Sequence, residues 1–84
     1  MITLEQLLNS VKIVADTVDI HSWNEKKWDY DDYFGFCGHP TSEFLLERCK
    51  EVKDYKVIYI ETDDNSFEGG YLRIEIQKEE QNNV

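Results

Sequence analysis

Apolar residues recur at three- and four-residue spacing near the N-terminus and at two-residue spacing near the C-terminus, and this change of period divides the chain. Ile58 and Ile60 would share one face of a strand over Tyr55–Thr62, and Leu72, Ile74 and Ile76 one face of a second over Tyr71–Gln77. Alternation in β-branched residues is the mark of half-buried strands. Lys56, Arg73, Glu75 and Gln77 then meet water. The acidic loop Asp63–Gly70 supplies turn formers and ends on two residues that tolerate positive φ. The pattern predicts a C-terminal hairpin.

At the N-terminus, Thr3-Leu4-Glu5-Gln6 matches a capping box, with Ile2 and Leu7 as a hydrophobic staple. Leu4, Leu7, Leu8 and Val11 follow the i, i+3, i+4, i+7 rule, which predicts a helix over Leu4–Ser10. From Lys12 to Trp23 β-branched residues dominate. The apolar phase moves from odd positions (Val11, Ile13, Ala15) to even ones (Val18, Ile20), so one long strand bent near Asp16–Thr17 is expected, or two shorter ones. Asn24–Lys27 is turn-like, and Trp28–Cys37 returns as the partner strand. Pro40, Thr41, Ser42 and Glu43 announce a second helix, with Phe44, Leu45, Cys49 and Val52 as its buried stripe.

The expected fold is α+β, in the order α-β-β-α-β-β, with an antiparallel sheet of about four strands and both helices on one face. Eighty-four residues fit a single domain, 1–84, with 79–84 as a frayed tail. No apolar run reaches membrane-spanning length, and the first residues lack the pattern of a secretion signal. A cytoplasmic location with two free thiols is therefore expected. Eighteen acids against nine bases give a formal charge of −9, which disfavours direct contact with nucleic acid or anionic membrane and favours a basic protein surface.

Candidate chemistry is sparse. Cys37, His39, Cys49 and His21 are enough in number for zinc, but their spacing matches no common ligand pattern, so no metal and no cofactor are expected. Cys37 and His39, two residues apart on a strand, would stand about 6.6 Å from each other, too far for direct proton transfer. With no phosphate-binding or metalloprotease motif either, the chain does not read as an enzyme. Asp63, Asp64, Asn65 and Glu68 lack the glycine and glutamate positions of a calcium loop.

Trp23 to Phe36 stands out: Trp23, Trp28, Tyr30, Tyr33, Phe34 and Phe36 alternate with Glu25, Asp29, Asp31 and Asp32. One sheet face of so small a domain cannot bury six rings. Exposed aromatics beside carboxylates suit a protein interface, whereas a solvated acidic edge that blocks strand pairing is the plainer reading.

Thr3-Leu4-x-x-Leu7-Leu8, the Val/Ile strand, Phe36-Cys37-Gly38, Phe44-Leu45, Asp54-Tyr55-x-Val57-x-x-Ile60 and Leu72-x-Ile74-x-Ile76 together resemble a group of small acidic proteins of Firmicute phages and mobile elements. That group carries no assigned chemistry, and its segment matching Trp23–Asp32 is shorter and less aromatic. In size and charge alone the chain is also similar to anti-CRISPR proteins and the uracil-DNA glycosylase inhibitor. The resulting expectation is a non-catalytic binding module that blocks a basic nucleic-acid-binding surface of a host protein. Trp28, Tyr30 and Tyr33 would be its anchors, and Asp29, Asp31, Asp32, Asp63, Asp64 and Glu68 its field. The alternative is a structural protein that self-associates, as a homodimer, through its aromatic edge.

Overall fold

The computed structural model describes residues 2–63 and 70–78, apart from the side chains of Phe36, Cys37 and Asp63. The expected tail and most of the acidic loop, including Asp64 and Glu68, lie outside the described residues.

Helix α1 is Leu4–Ser10. Its capping box is complete: Gln6 N donates to Thr3 Oγ1 at 3.1 Å, and Thr3 N donates to Gln6 Oε1 at 2.9 Å. Leu4, Leu7 and Leu8 are buried, whereas Val11 caps the helix in an extended conformation and is exposed. The long bent strand expected from Lys12 is not formed. Residues 11–16 have no regular structure, and β1 is Thr17–Asn24. The shift of apolar phase is therefore the start of a strand. Asp16 marks it: its carbonyl accepts the backbone N–H of both Gly38 (2.8 Å) and His39 (3.1 Å).

The turn after β1 is held by Asn24, whose Oδ1 accepts Lys26 N and whose carbonyl accepts Lys27 N; Trp28 closes it with φ 51°. Strand β2, Asp29–Cys37, follows. Helix α2, Ser42–Arg48, is capped by Thr41 Oγ1, which accepts Phe44 N, and continues into a 3-10 turn, Lys50–Val52. Leu45, Cys49 and Val52 are buried as expected, but Phe44 is exposed and packs edge-on to Phe34 with 5.8 Å between ring centroids. Strands β3, Lys56–Asp63, and β4, Tyr71–Gln77, complete the chain.

The four strands form one mixed sheet in the order β2-β1-β4-β3. This corrects the expectation of a wholly antiparallel sheet. Both hairpins are antiparallel, but they meet along a parallel seam, Thr17–His21 against Tyr71–Glu75. The cause is α2. A helical crossover returns the chain to the end of the sheet from which the preceding strand set out, so β2 and β3 run the same way on opposite edges. Their hairpin partners β1 and β4, each antiparallel to its edge strand, must then be parallel to each other.

A bulge between Val57 and Tyr59 corrects a second expectation. Val57 pairs with Ile76 and Ile60 with Ile74, so Ile58 and Ile60 do not share a face; Ile58 is the extra residue and is half-buried. Both helices cover the face bearing Val18, Ile20, Ile74 and Ile76, and these residues with Leu4, Leu8 and Leu45 are the fully buried centre of the core.

Candidate functional site

Neither helix covers the other face of the sheet, and what lies there follows from the pleat. Residues between the core positions point away from the helices. They are Asp19, His21 and Trp23 on β1, Tyr71, Arg73 and Glu75 on β4, and Tyr59 and Glu61 on β3. On β2 a second bulge, opposite Ile20/His21, decides the arrangement. Phe34 pairs with Ile20 in the core, but Asp32 pairs with His21 and Tyr30 with Trp23. Tyr33 is the extra residue.

The bulge separates residues that the sequence grouped together. Tyr33 turns toward the helical side, where its hydroxyl lies 2.8 Å from Ser22 Oγ and its ring meets Tyr55 edge-on at 6.1 Å. It is half-buried, which corrects its expected role as an exposed anchor. Tyr30 keeps to the open face and stacks on His21, with centroids 4.2 Å apart and planes 22° apart. Trp23 meets Tyr30 edge-on at 5.2 Å and Trp28 edge-on at 5.7 Å. The aromatic run His21-Tyr30-Trp23-Trp28 thus crosses two strands and ends at the hairpin tip. Exposure increases outward, from 5% at His21 to about two-fifths at Tyr30 (40%) and Trp23 (39%), and to 79% at Trp28.

The carboxylates divide as well. Asp31 is engaged within the chain, accepting Lys27 Nζ at 2.6 Å and Asn24 Nδ2 at 3.0 Å. The Lys27 hydrogen bond, then that of Asn24, holds the Asp31 carboxyl below its ordinary range, and Asp31 in turn raises Lys27. This corrects Asp31 as a contributor to the external field. Asp29 Oδ1 accepts Tyr30 N at 2.8 Å, and Asp32 is exposed beside His21. Asp63 ends β3 opposite Tyr71, and its side chain is not described.

Sequence reasoning passed over a polar network beside the rings. Tyr71 donates its hydroxyl to Asp19 Oδ2 at 2.9 Å and accepts from Arg73 Nε (3.3 Å) and Nη2 (3.1 Å). Arg73 Nη1 also reaches Glu61 Oε2 at 3.3 Å, which accepts the Tyr59 hydroxyl at 2.8 Å. Burial, opposed by Arg73 and assisted by Asp19, raises the Tyr71 phenol, while the bond to Glu61 raises that of Tyr59. The legible signal was the i, i+2 spacing of Asp19 and His21, and of Arg73 and Glu75, which puts each pair on one side of a strand.

Of the cysteine and histidine set considered for zinc, the described side chains lie in three different settings, and that of Cys37 is not described. Cys49 lies in the core, and burial pushes its thiol up to about 11. His39 adopts φ 55° at the end of the sheet and pairs through Nε2 with Asp16 Oδ1, while His21 lies on the open face. An apolar groove of about 370 Å³ opens elsewhere, lined by Leu7, Val11, Ile13, Ile60 and Leu72. Lys12, Thr62 and Tyr71 are also among the described residues of its wall.

Comparison with protein families, with curated proteins and with solved structures gives no match. Among the described residues no helix is long and apolar enough to cross a membrane.

Proposed function

We propose that this chain is a non-catalytic protein-binding module whose contact surface is the hairpin end of the open sheet face. Trp28, Trp23 and Tyr30 are the anchors, and Asp29 and Asp32 are the charges that select a basic partner. One observation carries the reading: an indole 79% exposed, Trp28, packs edge-on to Trp23, which in turn meets the Tyr30 phenol, beside Asp29 and Asp32, which form no salt bridge with Lys or Arg among the described residues. Tryptophan and tyrosine dominate binding energy where they lie near the centre of an interface. A net charge of −9 steers association toward positive surfaces and makes it sensitive to salt. The concrete form of the proposal is an inhibitor, of the kind phages and mobile elements carry, that occupies the nucleic-acid-binding surface of a host protein. Size, acidity and the resemblance of the helix and strand motifs support that form.

The test is affinity purification from the native host with wild type, Trp28→Ala and Asp29→Asn/Asp32→Asn in parallel. A basic partner retained by wild type and reduced at least tenfold by each variant is the expected result. A partner held equally by all three refutes the proposal. Self-association is the second reading, favoured by the aromatic strand β2 lying at a sheet edge. Light scattering separates the two, because a mass independent of concentration excludes it.

A further inference from the structure

The parallel ladder between β1 and β4 stops at His21 and Glu75, although β1 runs on to Asn24 and β4 to Gln77. Beyond that point each strand is paired on its outer side alone, Ser22–Asn24 with β2 and Ile76–Gln77 with β3. The two central strands part like a fork, and backbone carbonyls on their inner sides face the gap instead of a neighbouring strand. A cleft of about 920 Å³ occupies the fork, within the size range of small-molecule sites. Ser22, 6% exposed, lines it with Oγ 2.8 Å from the Tyr33 hydroxyl. That bond uses one of two hydroxyl protons and leaves the other to donate. The rings of Tyr33 and Tyr55, edge-on at 6.1 Å, are part of the same wall. Charge is distributed unevenly around it. Lys27, Lys50, Lys53 and Arg73 each lie beside a carboxylate, whereas Lys26 and Lys78, both on the cleft wall, have no such partner among the described residues. The acids of the wall are Glu25 and Asp31, and Asp31 is engaged by Lys27. Three lysines against two acids leave this corner positive in a chain of charge −9.

We propose that the fork binds a nucleoside monophosphate whose base carries an amino group. Lys26 and Lys78 hold the phosphate through charge-assisted hydrogen bonds. The tyrosine pair offers the flat apolar surface on which a base stacks. Carbonyls of the two parted strands accept the amino and ring N–H groups of the base edge, and the spare hydroxyl of the Ser22–Tyr33 pair donates to a ring nitrogen. The ligand would thus bridge β1 and β4 where their own pairing has ended. Other occupants match less of the wall. An alkyl chain would bury the carbonyls and the hydroxyl without partners. A bare phosphate would leave the rings and carbonyls unused. A nucleic-acid strand would meet the acidic surface beyond the cleft, whereas a single phosphate meets only the local lysines. Of the proposed partner contacts only Trp23 adjoins the cleft, and no bond assigned here depends on it, so the two proposals stand or fall separately.

The experiment is calorimetric titration of the full chain with AMP, GMP and CMP, with inorganic phosphate and adenosine as separate probes, and amide chemical shifts recorded alongside. Binding of at least one of the three nucleotides, one per chain, is expected, with shifts concentrated at Ser22–Lys26 and Ile76–Lys78. Inorganic phosphate should bind at least tenfold more weakly than AMP, and so should adenosine, because each offers only part of the contact. Lys26→Met/Lys78→Met alters two exposed side chains, so the fold is kept, and the nucleotide should be weakened at least tenfold. Tyr33→Phe keeps the ring and should weaken it about threefold. Lys12→Met/Lys50→Met, which removes two charges elsewhere, should leave the affinity unchanged. No nucleotide bound up to millimolar concentration overturns the proposal. So does phosphate or adenosine binding as tightly as AMP, an affinity indifferent to Lys26→Met/Lys78→Met, or one lost in Lys12→Met/Lys50→Met.

Discussion

Ile60 and Ile74 are the same residue type, directly opposite each other on β3 and β4 and on the same side of the sheet. Ile74 is wholly buried, flanked on its other side by Ile20 across the parallel seam, whereas Ile60 is 45% exposed beyond the cover of the helices. Truncation to alanine should separate them sharply. For Ile74 the lost transfer energy and the cavity left in a packed core add up to about 4 kcal/mol. For Ile60 roughly half of the transfer term applies and the dent opens to water, so the cost is about 1 kcal/mol. A domain of this length holds about 4–13 kcal/mol. Ile74→Ala therefore removes a third or more of the total. In thermal terms it lowers Tm by about 16–32 °C, against about 4–8 °C for Ile60→Ala. Urea unfolding followed by tryptophan fluorescence and far-ultraviolet circular dichroism measures both, with an unchanged m-value as the control. Equal costs for the two variants, or a larger one at Ile60, would refute the placement of β4 inside the sheet and β3 at its edge.

Cys49 should resist alkylation at neutral pH and react at the rate of unfolding, because it is buried and its thiol is raised to about 11; site-resolved mass spectrometry reads this, and rapid labelling in the native state contradicts it. The Asp31 carboxyl carbon should titrate below the ordinary value of about 3.9, and Lys27→Met should bring it back up. A depressed carboxylate stabilises the fold above its unfolded pKa and loses that contribution as pH falls through the folded one, while the raised Lys27 contributes below about 10.4 and loses it above. The pair thus steadies the hairpin across the neutral range, and a midpoint for Asp31 at or above the ordinary value would show it unformed.

The elements were largely legible because their signals are local. Thr3 and Gln6 specify α1 by themselves, Thr41 caps α2, and the alternation of Leu72, Ile74 and Ile76 fixes which side of β4 is buried. The pairing of the hairpins was not legible. Alternating strands look the same in parallel and antiparallel neighbours, and the deciding fact, that α2 carries the chain from one edge of the sheet to the other, is a property of the whole fold. The two bulges were equally silent. A single extra residue moves Tyr33 to the helical side and sets Asp32 against His21, and nothing in Asp29–Cys37 announces where that residue falls. The aromatic crowding did foretell exposed rings, since Trp28, Tyr30 and Trp23 all retain surface. It could not apportion the acids, because Asp31 is engaged through Lys27, four residues away across the hairpin turn.

The seam between β1 and β4 joins Thr17–His21 to Tyr71–Glu75, segments more than fifty residues apart. A growing polypeptide leaves the ribosome from its N-terminal end, so β1 and its hairpin emerge long before the strand that flanks them. Val18 and Ile20 must wait without one side of their packing until translation has passed Gln77. Closure is consequently a late, long-range event, slow by the rule that distant contacts delay folding. In that interval the unsatisfied edge of β1 is the place where a nascent chain of this kind is most open to a chaperone or to a wrong neighbour.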